Sequence, residues 1–242
     1  MQDLNLSLKQ RFDWFAHSFK AITQDHHREL MPLLRQYIPA AGVVLDVGAH
    51  AGQFARMFAQ IAGDGHVFSF EPSPYARSVL EAAVKWRAVG NITVVAKGLG
   101  DAPGVLELAT PIKRRGSLGF GLAHVPADGE SAAGQRRDRI EIETIDGFVA
   151  ARGLKRLDFI KVDVEGFEGR VMAGAQETLR RFKPAVLLEL HPVHLGRGGD
   201  TSGGVAGALE ALGYRAQRVT AAGGLEPVGQ IEEPGDFLFS QG

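Results

Sequence analysis

Two acidic segments follow apolar stretches of the chain, and their residue types could do proton-transfer chemistry. The first, residues 161–168, reads Lys-Val-Asp-Val-Glu-Gly-Phe-Glu. Because strand side chains alternate between two faces, Asp163 and Glu165 point the same way if the strand continues through them. Helix N-capping is the alternative, since acidic residues favour the start of a helix. We expect Asp163 and Glu165 to be catalytic and Glu168 to be structural, because an unpaired buried carboxylate is costly.

The second segment, residues 189–194, reads Glu-Leu-His-Pro-Val-His. Glu189 and His191 share a face by the same alternation, and the proline favours an extended backbone at His191. A lone histidine is usually structural, but here it follows a strand beside a second acidic set. We expect His191 or Asp163 to act as a general base. Asp163, Glu189 and His191 would also suit Mg²⁺ or Mn²⁺, although no compact metal-ligand motif is visible.

A glycine-containing turn joins an apolar strand pattern to a helical pattern. Residues 46–52 read Asp-Val-Gly-Ala-His-Ala-Gly. Glycines let the backbone turn tightly and approach a ligand, although a strand-to-helix turn alone also explains them. His50 stands where the second glycine of a Gly-x-Gly fingerprint would come, which disfavours a pyrophosphate cradle. The residues that we expect to contact a cofactor here are Asp46, Gly48, Ala49, His50 and Gly52.

Two further acidic residues follow the next strand patterns. Glu71 ends the second strand pattern, 25 residues after Asp46, and we expect it to contact a cofactor together with the following Pro72 and Ser73. A carboxylate there can accept hydrogen bonds from ribose hydroxyls, whereas a solvated strand-end charge is the alternative. Asp101 follows the third strand pattern and can accept from an adenine amino group. An ordinary Gly-Asp turn explains Asp101 almost as well.

The elements that must position these residues alternate in type along the chain. Apolar strand patterns separated by helical patterns predict an α/β fold, with a Rossmann-like, doubly wound, mostly parallel sheet and helices on both faces. Residues 1–40 form an N-terminal helical extension, in which Phe12, Phe15, Phe19 and Ile22 share a face. Residues 41–242 form the main domain. Within it, residues 111–138 lack periodicity and are expected to be a substrate loop.

Composition excludes several classes of function. The chain has 242 residues with a formal net charge of -1, which disfavours a DNA or bulk RNA binder. It has no cysteine, which excludes a disulfide scaffold, a thiolate zinc site and a catalytic thiol. The N-terminus has no signal-peptide pattern, and no run of 18 apolar residues predicts a membrane span. We therefore expect a cytoplasmic protein that does not bind membranes.

Three motifs together resemble the FkbM family of methyltransferases. They are Val-Leu-Asp-Val-Gly-Ala-His-Ala-Gly at 44–52, Phe-Glu-Pro-Ser-Pro at 70–74 and Phe-Ile-Lys-Val-Asp-Val-Glu-Gly-Phe-Glu at 159–168. The resemblance runs in order from about residue 43 to 191, and the third motif is its most specific part. Residues 1–40 and 111–138 carry no match, and we expect substrate choice to be made there.

The resemblance implies S-adenosylmethionine as cofactor and O-methyl transfer to a hydroxyl of a sugar or natural product. Asp46, Gly48 and Gly52 would form the cofactor turn, Glu71 would hold the ribose, and Asp101 would approach the adenine. This cofactor has no pyrophosphate, which is consistent with the missing glycine. Its methyl group is already activated on a sulfonium, so the enzyme mainly aligns an acceptor oxygen and removes water.

Two other functions use the same kind of sheet. A nicotinamide-dependent oxidoreductase is disfavoured by the missing glycine, and a non-catalytic nucleoside-binding module by the acidic set around Asp163 and Glu189. The predicted partner is a small-molecule hydroxyl acceptor, a sugar or glycosylated metabolite. The N-terminal helices are a candidate surface for a homo-oligomer.

Overall fold

The computed structural model describes residues 4, 6–126 and 130–241, and shows an α/β protein. In chain order, the first half contains α1 (Leu8–Thr23), a 3-10 helix (Arg28–Leu30), α2 (Met31–Leu34), β1 (Val43–Val47), α3 (Gln53–Ala62), β2 (His66–Phe70), α4 (Pro74–Trp86), β3 (Ile92–Val95), β4 (Gly98–Leu99) and β5 (Gly104–Pro111). The second half contains β6 (Gln135–Glu143), α5 (Ile145–Arg152), β7 (Phe159–Val162), α6 (Glu168–Ala173), α7 (Gln176–Phe182), β8 (Ala185–Leu190), α8 (Pro192–Gly198), α9 (Ser202–Glu210), β9 (Arg215–Val219), β10 (Leu225–Pro227) and β11 (Gly235–Ser240).

The main sheet has eight strands in the order β10-β9-β11-β8-β7-β1-β2-β3. Strands β3, β2, β1, β7 and β8 are parallel, and β11 runs antiparallel between β8 and β9. The strand order reverses between β1 and β7. In doubly wound sheets this reversal leaves a crevice at the carboxyl ends of the strands, where ligands bind. The predicted mostly parallel, Rossmann-like sheet is confirmed.

Both faces of the sheet are buried, which explains why the central strands are continuous apolar runs. On β1, Leu45 packs into the core that contains Phe148 of α5 and Leu179 of α7. Its neighbour Val44 points to the opposite face and packs into the core with Phe58 of α3. Alternation along one strand therefore places helices on both sides and leaves only the strand ends open.

The three phenylalanines on the shared face of helix α1 are exposed. Phe12, Phe15 and Phe19 are 79%, 57% and 68% exposed. The opposite face packs on α4, where Trp14 Nε1 donates to a serine hydroxyl at 2.8 Å and His17 bonds to a tyrosine hydroxyl at 3.0 Å. These polar partners hold the helix in that orientation. This exposed aromatic face could pack against a second copy of the chain, so self-association through α1 stays a prediction.

The predicted substrate loop is partly an antiparallel arm. Strands β5 and β6 pair from Gly104 opposite Ile142 to Pro111 opposite Gln135, so the ladder extends into the predicted loop at both ends. The segment between the strands folds back through isolated bridges to Ala109 and Ile112. Residues 127–129 of this loop lie outside the described residues. Among the described helices, none has both the length and the apolar character needed to span a membrane.

Candidate active site

A cavity of about 390 Å³ opens at the carboxyl ends of β1, β2, β7 and β8, where the strand order reverses. Strand-end residues form its floor, and the β5–β6 arm contributes further lining. The floor includes Gly48, Ala49, His50, Glu71, Pro72, Ser73, Lys161, Asp163, Val164, Glu165, Glu189 and Asp236. The arm contributes Leu108, Thr110, Gly119, Phe120, Gly121 and Ala123.

The turn after β1 packs tightly between its two neighbouring strands. The N–H groups of Gly48 and Ala49 both donate to the Phe70 carbonyl at 3.0 Å. Gly48 has φ +77°, and a Cβ there would lie 1.8 Å from the Asp163 carbonyl oxygen. Only glycine fits this close approach in the left-handed region. The turn is thus held in one conformation with its backbone at the cavity surface.

Glu71 lies at the end of β2 and is only 6% exposed. Its Oε2 accepts from the His50 N–H at 2.8 Å and its Oε1 from the Ser73 N–H at 2.9 Å. Burial raises the pKa of Glu71 to about 7, against the opposing effect of these two hydrogen bonds. A carboxylate has about four acceptor positions, so this one retains capacity for hydroxyl donors in the cavity.

Asp46 lies beneath the turn and is fully buried. Neither of its carboxylate oxygens accepts a hydrogen bond from a described residue. Burial raises the pKa of Asp46 to about 6, while the nearby Lys161 cation acts in the opposite direction. Strand pairing places Asp46 directly beside Lys161, so the negative charge of Asp46 favours the protonated form of that lysine.

Three carboxyl groups form a row across adjacent strands. Glu189 on β8 pairs directly with Asp236 on β11, and the β7–β8 register places Asp163 at the next position beside Glu189. Partial desolvation, and then the charge and hydrogen bond of Asp163, raise the pKa of Glu189 to about 8. Burial also raises the pKa of Asp236. The row therefore holds a proton at neutral pH.

Lys161 is the cation that balances this row. Its Nζ lies 3.0 Å from Asp163 Oδ2, 3.5 Å from the Gly48 carbonyl oxygen and 5.0 Å from the Phe54 ring centroid. Burial acts to lower the pKa of Lys161, but Asp163 and Asp46 outweigh it and raise the pKa. Burial likewise acts to raise the pKa of Asp163, and Lys161 holds that pKa below its ordinary value. The shifts therefore favour an ionised Asp163 beside a Glu189 that keeps its proton to a higher pH than an ordinary glutamate.

The family model for the methyltransferase FkbM domain matches residues 46–216, which include β2, β7 and β8 completely and the last two residues of β1. The chain belongs to the FkbM methyltransferase family. Two curated relatives fit this assignment. The 2-O-methyltransferase NoeI of Sinorhizobium fredii is 30% identical over 196 residues, covering 74% of this chain and 76% of its own. The 31-O-demethyl-FK506 methyltransferase FkbM of Streptomyces tacrolimicus is 30% identical, covering 62% and 66%.

Solved structures share the fold of this methyltransferase. Methyltransferase FkbM from Methylobacillus flagellatus has a TM-score of 0.53 at 14% identity, covering 96% of this chain and 59% of its own. A methyltransferase-like protein from Streptococcus mutans, solved with SAH, has a TM-score of 0.50 at 8% identity, covering 87% and 94%. At these identities, the likeness supports the fold alone.

The methyltransferase cavity brings most of the predicted site residues together. The predicted residues that line it are Gly48, Ala49, His50, Glu71, Pro72, Ser73, Asp163, Glu165 and Glu189. Asp46 and Gly52 do not line the cavity, and the Gly52 N–H donates to the Ala49 carbonyl within the turn at 2.8 Å. Asp101 and His191, both described, are not among the lining residues.

His191 has the extended backbone that Pro192 predicts, but it does not line the cavity. Strand β8 ends at Leu190, and His191, with φ −122° and ψ 108°, directly precedes helix α8 without a side-chain capping bond. Its ring stacks on His194, with centroids 4.1 Å apart. In the part of the chain that the structure describes, no group of three histidine or acidic side chains is arranged to hold a metal ion. The predicted Mg²⁺ set of Asp163, Glu189 and His191 is therefore not formed.

Two predicted site residues, Glu165 and Asp101, have surroundings different from those expected, whereas Glu168 is buried as expected. Strand β7 ends at Val162, so the expected alternation does not reach Glu165, which has φ +55° and lies 2.7 Å from His194 Nδ1. Asp101 is exposed in a bend, 3.9 Å from an arginine of α6. Glu168 is buried and accepts from two backbone N–H groups, as expected for a structural residue.

Sequence reasoning did not identify Lys161, Asp236 or Phe120 as lining residues. Lys161 is a charged residue inside an apolar strand, two positions before Asp163, and this pattern could have identified it as a site residue. Asp236 stands just before the last apolar run, but only the antiparallel insertion of β11 brings it to Glu189. Phe120 carries no signal of its own, because its place depends on how the arm folds back.

Phe120 anchors the arm over the cavity. Its ring centroid lies 4.2 Å from that of His17 in a stacked pair and 4.0 Å from that of His50. Gln10 on α1 donates to the Gly116 carbonyl at 3.1 Å, which ties the same loop to the N-terminal helix. Burial lowers the pKa of His50 to about 4, so this stack is neutral at neutral pH.

Replacing Phe120 with alanine is expected to weaken binding of S-adenosylhomocysteine by roughly tenfold. The pairs of Phe120 with His17, His50 and Tyr75 are lost, each worth about 0.5–1.5 kcal/mol, and the arm is no longer held over the turn. Calorimetric titration measures the change. Phe15→Ala on the exposed face of α1 is the matched control and should bind like the wild type. Equal affinity in both variants would show that the arm does not close over the cofactor.

Proposed function

We propose that this methyltransferase uses S-adenosylmethionine to methylate a hydroxyl of a sugar or natural-product small molecule. The observation that carries the proposal is the proton-holding pair of Asp163 and Glu189, which faces the same cavity as Glu71. The names of the relatives support hydroxyl acceptors, since one is a 2-O-methyltransferase and the other a 31-O-demethyl-FK506 methyltransferase. The SAH in the Streptococcus mutans structure supports the cofactor.

The residues around the first turn suit a nucleoside cofactor. Glu71 keeps acceptor positions free for ribose hydroxyls after binding two backbone N–H groups. The tight turn at Gly48 presents backbone rather than side chain to the ligand. When bound, the cofactor supplies a methyl group on a sulfonium, which the neighbouring carboxylates favour electrostatically. Gly48, Ala49, His50, Glu71, Pro72 and Ser73 would hold it, with Asp46 and Gly52 supporting the turn.

Asp163 is the residue that takes the acceptor's proton. An alcohol is a weak nucleophile until a positioned base can remove its proton. Lys161 keeps Asp163 ionised, and protonated Glu189 donates a hydrogen bond to it, which orients the carboxylate. When Asp163 accepts the acceptor's proton, protonated Glu189 releases its own proton to solvent, because Glu189 is accessible, and the proton on Asp163 then passes to Glu189.

The rest of the cavity suits a polyhydroxylated acceptor. Glu189 and Asp236 are adjacent carboxyl groups that can accept from, and donate to, neighbouring hydroxyls. His27 stacks on Phe54 with ring centroids 4.6 Å apart, and both residues line the cavity. Aromatic faces beside paired carboxyl groups bind sugar rings through their apolar and polar sides together. Glu165, held by His194, lies at the edge of the same surface.

The direct test is methyl transfer with labelled S-adenosylmethionine and a panel of glycosylated acceptors, with the cofactors compared by calorimetry. We expect S-adenosylhomocysteine to bind one per chain, NAD(H) not to bind, and the label to enter an ether. Tighter binding of NAD(H) would favour the oxidoreductase alternative. Cofactor binding with no transfer to any hydroxyl compound would favour a nucleoside-binding module.

A further inference from the structure

A second cavity, of about 330 Å³, lies against the first turns of α3 and is rich in arginine. Among the residues that the structure describes, three arginines line it, Arg28, Arg56 and Arg87, and Asp25 is the single carboxylate. The whole chain is close to neutral, so this lining is a local concentration of positive charge. Such a concentration around a concave surface favours an anionic ligand.

The guanidinium group of Arg56 is buried and only partly hydrogen-bonded. Arg56 is 8% exposed, and its Nη2 donates to the Gln24 carbonyl at 2.8 Å and lies 3.4 Å from Asp25 Oδ1. Its Nε and Nη1 have no hydrogen-bond partner among the described residues. Folded proteins rarely bury charged donors without a partner, because their lost hydration is costly. Two such donors on one cavity-lining guanidinium indicate an acceptor that the protein itself does not supply.

Asp25 cannot neutralise its surroundings alone. The same Oδ1 atom lies 3.4 Å from Arg56 Nη2 and 3.2 Å from Arg87 Nη2, so one carboxylate oxygen serves two guanidinium groups. Arg87 also donates to the Ile22 carbonyl, which fixes its direction. Burial, and then the charge of Arg87, lower the pKa of Arg56. Asp25, Arg56 and Arg87 together therefore keep one net positive charge, and Arg28 adds a second to the lining.

We propose that this second cavity binds an oxyanion, a phosphate or carboxylate group carried by a small molecule. Guanidinium groups match the geometry of both anions and bind them strongly when water is partly excluded. The cavity adjoins the active site, because Gln53 lines both cavities and the neighbouring residues His26 and His27 line one each. The anion is either a substituent of the methyl acceptor, an assignment that rests on the proposed function, or a separate ligand.

Inorganic phosphate is the probe, titrated into the full chain at constant ionic strength and followed by calorimetry. We expect saturable binding to the wild type and binding at least about tenfold weaker in Arg56→Gln and Arg87→Gln, since each removes charge-assisted hydrogen bonds. Arg180→Gln, an exposed arginine on α7, is the matched control and should bind like the wild type. Arg87 is partly exposed, so its variant decides the matter if Arg56→Gln fails to fold.

The proposal is overturned if phosphate does not bind the wild type, or binds it and both cavity variants equally. Titration of S-adenosylhomocysteine into the same samples tests the proposed function separately. A protein that binds phosphate but not S-adenosylhomocysteine would contradict the proposed function and still support the oxyanion site. Two kinetic arms then identify the source. A KM that rises in Arg87→Gln only for phosphorylated acceptors assigns the anion to the acceptor. A rate with a neutral acceptor that changes on adding phosphate assigns it to a separate ligand.

Discussion

Replacing Asp163 with asparagine is expected to lower kcat by about 10²- to 10⁴-fold, the usual contribution of a positioned general base. The amide keeps the size of the side chain but cannot accept the acceptor's proton. Affinity for S-adenosylhomocysteine should change little, because Glu71 and the Gly48 turn hold the cofactor. Single-turnover kinetics and calorimetry on one preparation measure both quantities. Asp64→Asn, in the exposed turn after α3, is the control and should leave kcat unchanged.

The pH profile distinguishes a base from a merely structural carboxylate. Glu189 loses its proton at a pKa of about 8, which places a second negative charge beside Asp163 and makes Asp163 a stronger base. The wild-type kcat should therefore rise as pH increases through about 8. In Glu189→Gln, that rise should disappear because no proton is lost there. Full activity of Asp163→Asn would show that Asp163 and Glu189 have no part in the mechanism. The same conclusion would follow if the wild type and Glu189→Gln had identical pH profiles.

Replacing Glu71 with glutamine is expected to weaken S-adenosylhomocysteine binding by about 10²-fold. Hydrogen bonds to a charged acceptor are worth about 1.5–3 kcal/mol, and the ribose can form two of them. In addition, the new amide NH₂ must face the His50 or Ser73 N–H, since both donate to the present carboxylate. Calorimetry measures the loss, and Glu210→Gln at the exposed end of α9 is the matched control. Retained affinity would place the ribose elsewhere.

The sign of the pH dependence follows from the raised pKa of Glu71, which is about 7 against an ordinary value of 4.5. Between these values, the folded protein holds a proton that the unfolded chain has released. The contribution of Glu71 to stability is therefore present below pH 4.5 and is lost as pH rises through about 7. Cofactor binding has the opposite trend, because the ionised carboxylate accepts more strongly. Affinity should rise toward pH 7 in the wild type and stay level in Glu71→Gln.

The strands and the first turn were predictable from local pattern. Buried parallel strands are apolar on both faces, so the runs that became β1, β2, β7 and β8 stood out from the helical segments between them. The Gly48 turn and Glu71 follow two of those strands directly, and both line the cavity. Strand alternation does not extend to Glu165, which has φ +55°, whereas His191 is extended but lies outside the cavity lining. The aromatic spacing of α1 did not decide which side packs on the domain, and the packed side carries the hydrogen bonds of Trp14 and His17 to α4.

The sequence by itself determined the family, the type of sheet and which strands are followed by acidic residues. These features depend on residues that are close together in the chain. Only the tertiary structure decided which of those ends meet. The antiparallel insertion of β11 brings Asp236 to Glu189, and the β1–β7 pairing sets Lys161 beside Asp46. The same holds for Phe120, which reaches His50 because α1 holds the arm. Strand register and loop docking join residues far apart in the chain, and no local pattern records them.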